Sequence, residues 1–344
     1  MEYNRLSDYD YHLPEGFIAQ EPLEQRDKSR MLVLDRGDGS IEHSMFNQLP
    51  AYLEAGDLIV LNNTKVMPAR LIGKIDGKTT AAELLLLHKL ITGHWAAMVK
   101  PGKKLKPGTK VIFDHGVEAV IEDYAREGLR VVSFNSPEPI EKLLPSLGKV
   151  PLPPYIEREL ADPGQYQTVY AEKDGSAAAP TAGLHFTDHV FSSLRKKGVR
   201  VAYITLHIGP GTFQPVKTED IRDHVMHFEH YSIETKTARM LNLAKSEGKR
   251  VIAVGTTVTR VLETAVDDNG LFKGREEGWT GLYIYPGYQF RFVDAMLTNF
   301  HLPKSTLLML VSALAGRDNI LAAYREAVEK KYRFFSFGDC MLIR

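Results

Sequence analysis

The sequence predicts an α/β main domain that has a mixed or mostly parallel sheet with helices. This domain is built from both chain ends, and a small all-β, barrel-like domain is inserted between them. From about residue 150 onwards, strand patterns alternate with amphipathic helix patterns, which implies parallel strands. Between residues 69 and 135, short strand patterns recur at regular spacing between Gly and Pro turns. Buried-strand patterns also precede residue 67. We therefore assign residues 1–67 and 150–344 to the α/β domain and residues 68–149 to the inserted β domain.

The elements before residue 150 are short. Residues 31–34 and 57–61 are apolar runs typical of buried strands, and residues 46–53 carry apolar side chains at helical spacing. Six strands are predicted in the insertion, at residues 70–75, 82–87, 94–99, 110–113, 117–121 and 129–134. The most basic loop of the insertion, residues 100–108, contains Lys100, Lys103 and Lys104. This loop is either a solvated turn or a contact to a phosphate backbone.

The elements after residue 150 alternate in type. Thr187 is the expected N-cap of a helix that Gly198 ends, and a strand over residues 199–206 follows. A helix at residues 236–245, a buried strand at 250–254 and a helix from the Gly255 turn to residue 264 come next. Two further helices, an apolar one at residues 305–315 closed by Gly316 and an amphipathic one at 319–330, precede one or two final strands at 334–343.

The composition is that of an ordinary globular protein, with 344 residues of which 44% are hydrophobic and 25% charged. Lys plus Arg equals Asp plus Glu at 43 each, which argues against non-specific coating of nucleic acid but leaves a local basic face open. The single cysteine, Cys340, excludes an internal disulfide and a multi-cysteine zinc site, and fits a reducing cytosol. Because no run of about 18 apolar residues and no apolar signal core occur, we expect a cytoplasmic protein without a membrane span.

Three loop blocks, residues 179–187, 206–213 and 298–306, place Gly, Pro, Thr, His and Asn at the ends of regular elements. Gly and Pro break helices and strands, and loops at element ends commonly carry binding groups. A lone histidine is more often structural, but His185, His207 and His301 recur in similar loops, which favours a shared polar-ligand site. The other candidates in these blocks are Thr181, Gly183, Gly209, Gly211, Thr212, Asn299, Lys304 and Ser305.

The segment Gly255-Thr256-Thr257, with Arg260 one turn later, is a strand, a glycine turn and a helix start. Backbone N–H groups at such a point suit an anion or a nucleotide-like group, although a plain capped helix explains the pattern equally well. The segment is neither a dinucleotide-binding G-x-G-x-x-G loop nor a Walker loop, because the second glycine and the Gly-Lys-Ser/Thr are missing.

The segment 224–231 contains three histidines and Glu229 and therefore invites a metal interpretation. On a helix the histidines do not converge, and no Cys companion or H-E-x-x-H is present. On a strand, His227, Glu229 and Tyr231 share one face because side chains alternate with period two. We favour a strand that presents Glu229 and His227 to a pocket, with no metal.

Two further candidates lie near the ends of predicted elements. Lys304 precedes an apolar helix, where a cation opposes the helix dipole, so an anionic partner such as a ligand carboxylate or phosphate would relieve the conflict. Ser305 is explained by helix capping as well as by ligand binding. Asp339 sits in a turn, and it is either a simple turn residue or a partner for a ligand amine or ribose hydroxyl.

Ordered blocks along nearly the whole chain resemble the S-adenosylmethionine:tRNA ribosyltransferase-isomerases of queuosine biosynthesis, the QueA family. The blocks are residues 18–26, 61–66 with 69–70, 151–156, 166–170, the three loop blocks, His227-x-Glu229, Gly255-Thr-Thr257 with Arg260, and 333–339. The resemblance implies transfer and isomerisation of the ribosyl part of S-adenosylmethionine to 7-aminomethyl-7-deazaguanine at the wobble position of a tRNA. The implied product is epoxyqueuosine-tRNA, with adenine and methionine released.

The resemblance also implies the partners and roles. S-adenosylmethionine is a consumed co-substrate, no metal or redox cofactor is implied, and tRNA is the acceptor. We hypothesise that His185, His207, Glu229 and His301 hold the acid and base roles, in an unassigned order. The remaining motif residues, Thr181, Gly183, Gly209, Gly211, Thr212, His227, Gly255, Thr256, Thr257, Arg260, Asn299, Lys304, Ser305 and Asp339, are assigned to substrate binding. Lys100, Lys103, Lys104 and Arg158 are assigned to tRNA, and a monomer is expected because no heptad pattern occurs.

Two alternative functions stay open at the level of the sequence. A non-catalytic RNA-binding module would bind no S-adenosylmethionine. An S-adenosylmethionine-dependent RNA methyltransferase would release S-adenosylhomocysteine, although the glycine-rich loop expected after an early strand of such an enzyme is missing. A covalent hydrolase has little support, because no Gly-x-Ser-x-Gly elbow occurs.

Overall fold

The computed structural model describes residues 3–125, 128–158, 160, 162–209 and 215–344. Its α-helices are α1 (Ile140–Leu147), α2 (Asp188–Lys196), α3 (Thr235–Ser246), α4 (Thr256–Ala265), α5 (Thr306–Ala315) and α6 (Arg317–Glu329). Its strands are β1 (Arg30–Leu34), β2 (Ile41–Met45), β3 (Leu58–Asn62), β4 (Thr64–Val66), β5 (Arg70–Ile75), β6 (Ala81–Lys89), β7 (Trp95–Lys100), β8 (Lys110–Ile112), β9 (Glu118–Tyr124), β10 (Arg130–Asn135), β11 (Gly148–Lys149), β12 (Lys173–Ser176), β13 (Arg200–Leu206), β14 (Glu229–Ile233), β15 (Val251–Val254), β16 (Glu276–Thr280), β17 (Ala295–Asn299) and β18 (Cys340–Ile343).

A nine-stranded mixed sheet forms the centre of the α/β part, in the order β16-β14-β13-β3-β15-β17-β18-β1-β2. The neighbours β13, β3, β15 and β17 all run parallel, and β18 runs parallel to β1. The pairs β13–β14, β14–β16, β17–β18 and β1–β2 are antiparallel. Because β1, β2 and β3 come from the start of the chain and the other six strands come from residue 200 onwards, the predicted α/β domain built from both chain ends is confirmed.

Period-two alternation of the strands separates two apolar cores on the two faces of this sheet. In β17, Met296 and the following Phe300 belong to the core under α5 and α6. Ala295 and Leu297 belong to the opposite core, which is covered by α2 and by a 3₁₀ helix at Phe46–Tyr52. The strands are therefore buried on both faces, as expected for strands covered by helices.

The inserted β part is a closed barrel. Its strands follow the order β5-β6-β7-β10-β9-β8, and β8 pairs back with β5, with the short β11 added beside β5. All pairs are antiparallel, and the interior is filled by inward side chains such as Leu71, Leu84, Val111 and Val132. All six strands predicted in the insertion are present within one to three residues of their expected bounds, so the barrel-like domain is confirmed.

The chain divides into two compact units. One comprises residues 3–64, 154–172 and 180–344 and the other residues 65–153 and 173–179, within the described ranges. The sequence placed the boundaries at residues 67/68 and 149/150. Residues 173–179 join the second unit because β12 pairs with β4 rather than with the nine-stranded sheet.

Several elements differ from the sequence expectation, and strands β2, β4, β11, β12, β16 and β17 were not predicted. Residues 46–52 form a 3₁₀ helix rather than an α-helix, and Pro50 inside it lacks the N–H that an α-helical bond requires. Helix α1 was not predicted, since Pro139 and Pro145 mask its short pattern. In the final segment only residues 340–343 form a ladder strand, and Phe334 makes an isolated bridge with Ile18.

Within the described ranges, no single helix has the length and apolar run needed to cross a membrane. Helices α5 and α6 reach that length only together, and their axes are bent by 114° at the break.

Candidate functional site

The predicted loop blocks emerge at one edge of the large sheet. Strands β13, β3, β15 and β17 are parallel neighbours, so their carboxyl ends lie side by side. His207 follows β13, Gly255 follows β15, and Asn299 ends β17. The remaining block joins this edge through Thr181, whose hydroxyl donates to Asn299 Oδ1 at 3.0 Å. In open α/β sheets, this edge is where ligands bind.

A cavity of about 170 Å³ lies at this edge. Five of the predicted site residues line it, namely His227, Glu229, Thr256, Thr257 and Arg260. The cavity wall also contains Lys217, Thr218, His224, Val225, Met226 and the first residues of α5. The predicted histidines 185, 207 and 301 are not among the described residues of this lining. Five residues that the sequence analysis assigned to the site therefore lie together on this cavity, and their roles stay predictions.

The centre of the cavity wall is a buried ion pair between Glu229 and Arg260. Their side chains are 5% and 4% exposed, and Arg260 Nη1 donates to Glu229 Oε2 at 2.6 Å. The other carboxylate oxygen accepts the backbone N–H of Gly209 at 2.9 Å. Arg260 Nε donates to the carbonyl of Leu282 and Nη2 donates to that of Thr280. Each guanidinium nitrogen and each carboxylate oxygen of the pair thus has a hydrogen bond, which is the condition under which a buried charge pair is tolerated.

The start of α4 forms the neighbouring wall. Gly255 precedes the helix with φ of 90°, a conformation that side chains rarely adopt, and this turn directs the chain from β15 into α4. Thr256 and Thr257 occupy the first turn and line the cavity. The first backbone N–H groups of a helix have no partner within the helix, so this wall favours a negatively charged group.

Sequence reasoning missed Lys217 and His224 as site residues. Lys217 lies in the loop between β13 and β14 and belongs to no recognisable motif. Its position in a loop after a strand was the one sequence signal that could have indicated a site residue. His224 was noted only as part of a possible metal motif. Burial, together with the charge of His227, lowers the pKa of His224 below its usual value, and both histidines lie on one wall of the cavity.

A second polar cluster connects the first and third loop blocks through a chain of hydrogen bonds. Asn299 accepts from Thr181 through Oδ1 and contacts His185 Nε2 through Nδ2 at 3.2 Å. His185 Nδ1 contacts Ser29 Oγ at 2.7 Å. Because the Asn299 amide must donate to Nε2, the network assigns the proton of a neutral His185 to Nδ1, where it donates to Ser29.

The environment of His185 keeps its imidazole neutral. Burial, with a smaller contribution from the charges of Arg26 and Arg333, lowers the pKa of His185 to about 3. A small cavity of about 20 Å³ beside it is lined by Arg26, Ser29 and Ser336 among others. The sequence did not predict Arg26 as a site residue, although Arg26 ends the first resemblance block.

His301 and His207 occupy two further positions. His301 contacts Thr298 Oγ1 through Nε2 at 3.1 Å, and burial lowers its pKa to about 3. Thr298 and Asn299 alternate along β17, so their partners His301 and His185 are tied to opposite faces of the sheet. His207 is only partly buried and contacts Thr64, the first residue of β4, with 2.8 Å between Nδ1 and Oγ1. The structure therefore brings these three histidines to one edge but not into one cluster.

Several predicted binding residues have local structural partners. The carboxylate of Asp339 accepts the backbone N–H groups of Arg30 and Arg333, and burial raises its pKa. The Lys304 ammonium lies 2.7 Å from Asp10 Oδ2, so the anionic partner expected for Lys304 is within the chain. Ser305 caps α5 by accepting from the N–H of Leu308, as the capping interpretation predicts.

Gly183 has a packing reason to be glycine, because a Cβ there would lie 1.9 Å from the Tyr170 hydroxyl. Gly211 and Thr212, assigned to substrate binding, lie outside the described residues.

The predicted tRNA contacts lie on exposed loops. Lys100, Lys103 and Lys104 are exposed at the end of β7 and in the loop that follows. Arg158 is exposed and lies 3.9 Å from Glu21. Across the described residues, no group of three His, Cys, Asp or Glu side chains is placed to hold a metal ion, and this includes the histidines of segment 224–230.

The fold and the site define an α/β protein with an inserted barrel and a charged cavity at the carboxyl ends of its parallel strands. Residues 6–343 match the family model described as queuosine biosynthesis protein, so the chain belongs to that family. Among its relatives, the S-adenosylmethionine:tRNA ribosyltransferase-isomerase of Desulfitobacterium hafniense is 52% identical over 340 residues, covering 98% of this chain and 99% of the relative. The enzyme of the same name from Halothermothrix orenii is 49% identical over 340 residues, with the same coverage.

A solved structure has the same architecture. The crystal structure of S-adenosylmethionine tRNA ribosyltransferase from Thermotoga maritima is 39% identical in sequence and has a TM-score of 0.56, covering 98% of this chain and 100% of that one. The resemblance inferred from the ordered sequence blocks is therefore confirmed at the level of the family.

Proposed function

We propose that the chain transfers and isomerises the ribosyl moiety of S-adenosylmethionine to 7-aminomethyl-7-deazaguanine at the wobble position of a tRNA. The products are epoxyqueuosine-tRNA, adenine and methionine. The full-length similarity to enzymes named for this reaction supports the proposal. The observation that carries it within the molecule is the Glu229 carboxylate, which is held by Arg260 in the wall of the cavity at the strand ends.

The reaction needs a negative neighbour for the sulfonium of S-adenosylmethionine and groups that transfer protons. Both oxygens of Glu229 already accept hydrogen bonds, from Gly209 N–H and from Arg260. A carboxylate held in this way is better suited to stabilise a cation than to remove a proton. We therefore assign Glu229 to the sulfonium or the ammonium group of the co-substrate, which would contact a carboxylate whose position Arg260 and Gly209 fix.

Proton transfer is needed at two points. Adenine leaves readily only when a ring nitrogen is protonated, and the acidic carbon beside the sulfonium must lose a proton. His224 and His227 lie on the same cavity wall as Glu229, which makes them the imidazoles best placed for these transfers. His185 and His301 are less suited to this role, because a pKa of about 3 leaves them neutral and weakly basic at neutral pH. Their earlier assignment to acid and base roles stays a prediction.

The carboxylate of the methionine part requires a positive partner. Thr256 and Thr257 place the N-terminus of α4 on the cavity, and Lys217 lies on the same lining. The helix N-terminus and the ammonium together provide such a partner, since both favour an anion. Arg260 is not assigned to this carboxylate, because its N–H groups are directed to Glu229 and to backbone carbonyls.

The proposed reaction requires two partners, S-adenosylmethionine and a tRNA. S-adenosylmethionine is consumed as a co-substrate, and the chemistry asks for no metal or redox cofactor. The tRNA is held by Lys100, Lys103, Lys104 and Arg158 through its phosphates, with the anticodon loop opened as RNA recognition commonly requires. The protein acts as a monomer in the cytoplasm.

One incubation tests the reaction. Precursor tRNA carrying 7-aminomethyl-7-deazaguanine is mixed with S-adenosylmethionine and the protein, and mass spectrometry follows both the nucleoside and the small products. We expect free adenine and methionine together with epoxyqueuosine in the tRNA. S-adenosylhomocysteine would instead identify a methyltransferase, and unchanged S-adenosylmethionine with bound tRNA would identify an RNA-binding module.

The substitution Glu229→Gln tests the assignment of the carboxylate. We expect the KM for S-adenosylmethionine to rise about 10- to 100-fold, as for the loss of a hydrogen-bonding partner of a charged group. Glu247→Gln is the matched control, because Glu247 is half-exposed and pairs with Arg200 at the surface. Thermal unfolding of both variants checks that they fold. An unchanged KM in a folded Glu229→Gln protein would refute the assignment.

A further inference from the structure

An exposed aromatic surface lies beside the cavity, on the ribbon of β14 and β16. It consists of Phe228, His230 and Trp279, and we call it the aromatic ledge. Phe228 is 68% exposed and Trp279 is 55% exposed. Large aromatic side chains in such positions usually mark a binding surface. Neither the candidate site nor the proposed reaction so far gives this ledge a role.

The strand register places the ledge on one face of the ribbon. Glu229 pairs with Thr280, and His230 pairs with Trp279. Since side chains alternate along a strand, His230 and Trp279 face away from the side on which Glu229 is buried. Phe228 precedes Glu229 and has the same parity as His230, so all three rings lie on the outer face. The rings of His230 and Trp279 meet edge to face, with 5.3 Å between centroids.

The Phe228 ring is held in place from below. A Cβ on Gly281 would lie 2.9–3.1 Å from three atoms of this ring, so the ring packs directly over the backbone of Gly281. Its other face is open, in keeping with an exposure of 68%. A ring fixed in this way needs little ordering when a flat partner stacks on it, which lowers the entropic cost of binding.

The ledge adjoins the cavity through the chain itself. The segment from His224 to His227 lines the cavity and leads directly into Phe228, and the rim residue Val225 is 79% exposed. Strand β14 then presents Glu229 to the cavity and His230 to the ledge. The cavity and the ledge are therefore adjacent along one stretch of the chain, separated by the rim at Val225.

We propose that the aromatic ledge stacks unpaired bases of the tRNA anticodon loop next to the base that reacts in the cavity. The inference rests on the proposed function. Aromatic faces bind unpaired bases irrespective of sequence. The charge of the surface agrees with a polyanion, because Lys217 lines the adjoining cavity and Glu277 on the ledge face is paired with Arg275. A second copy of the chain, docking along the edge strand β16, is the alternative occupant that the experiment distinguishes.

The test compares Phe228→Leu and Trp279→Leu with Phe228→Trp. Leucine keeps an apolar side chain but removes the ring, whereas tryptophan retains a stacking face. We measure the Kd of an anticodon stem-loop by fluorescence anisotropy, and the KM for tRNA and for S-adenosylmethionine. We expect each leucine variant to weaken stem-loop binding and to raise the KM for tRNA by at least about fivefold. The KM for S-adenosylmethionine and the binding by Phe228→Trp should stay near the values of the unsubstituted protein.

The control variant is Leu243→Ala, since Leu243 is 49% exposed on α3 of the same unit and has no assigned role. Sedimentation at assay concentrations shows whether the chain is a monomer. Unchanged stem-loop affinity in folded leucine variants overturns the proposal, as does a dimer that the leucine variants dissociate. If the unsubstituted protein releases no adenine from S-adenosylmethionine, the proposed function fails, and stem-loop binding still decides the role of the ledge.

Discussion

Burial fixes the charge of two imidazoles that the sequence made candidates for catalysis. His185 and His301 are each 4% exposed, and burial lowers both pKa values to about 3. The sequence alone does not distinguish a catalytic histidine from a structural one in a Gly- and Pro-rich loop. The difference depends on which side chains from distant segments cover it, and Ser29, Phe46 and Tyr324 are far away in sequence.

These shifted pKa values predict how stability depends on pH. The folded-state pKa of each histidine lies below the unfolded value of about 6.5, so the unfolded state binds more protons between these limits. The stabilisation is therefore complete above about pH 6.5 and is lost as the pH falls towards 3. We expect His301→Gln to remove about 2 kcal/mol of the change in unfolding free energy between pH 6.5 and pH 5. Urea unfolding at the two pH values measures it.

The matched control for that measurement is His12→Gln, because His12 is exposed. It should leave the pH dependence of unfolding as it is in the unsubstituted chain. If His301→Gln and the unsubstituted chain lose the same free energy on acidification, His301 is not held neutral by burial.

At the scale of elements, local patterns predicted most helices and strands, but not which strands become neighbours. Period two correctly put Glu229 and Tyr231 on one buried face of β14. Nothing in the sequence showed that β3 lies between β13 and β15, because both pairings join β3 to segments that are more than a hundred residues away. The cavity-wall residues from Lys217 to Met226 were missed for the same reason.

The cap of α2 provides a test at this scale. Thr187 Oγ1 accepts the backbone N–H of Val190 and donates to Asp27, as the predicted N-cap requires. We expect Thr187→Ala to lower the free energy of unfolding by about 1 kcal/mol, because one backbone N–H of the first turn loses its partner. Thr187→Ser keeps the hydroxyl and should lose much less. Equal stability of the Ala and Ser variants in urea unfolding would show that the cap contributes nothing.

At the scale of the whole molecule, the sequence indicated a barrel inserted into an α/β domain from the change of texture near Pro68 and Val150. It did not indicate that residues 173–179 join the second unit, since this depends on the pairing of β12 with β4. It also could not show closure of the barrel, which depends on the β5–β8 pairing. The β12–β4 and β5–β8 pairings each join two separate segments, and the local sequence pattern of one segment does not indicate its partner.

The barrel unit carries the basic loop that we assign to tRNA phosphates. Arg130 is 8% exposed, and its guanidinium donates to the carbonyls of Gly102 and Leu105. These two hydrogen bonds fix the conformation of the loop at residues 100–108. Lys103 and Lys104 stand exposed on this loop. Replacing lysines at the surface of a braced loop removes charge without removing the contacts that shape it.

We therefore expect the triple substitution of Lys100, Lys103 and Lys104 by Ala to weaken tRNA binding through lost counterion release. Each phosphate contact contributes about 0.7 to 0.9 to the slope of log K against log salt, so the slope should fall by about 2 to 3. Anisotropy titrations of tRNA over a series of salt concentrations measure it, and the KM for S-adenosylmethionine should not change. Lys142→Ala is the control, because Lys142 is exposed on α1 of the same unit and pairs only with nearby Glu138 among the described contacts. A slope equal to that of the unsubstituted protein would place the phosphate contacts elsewhere and leave the loop as a solvated turn.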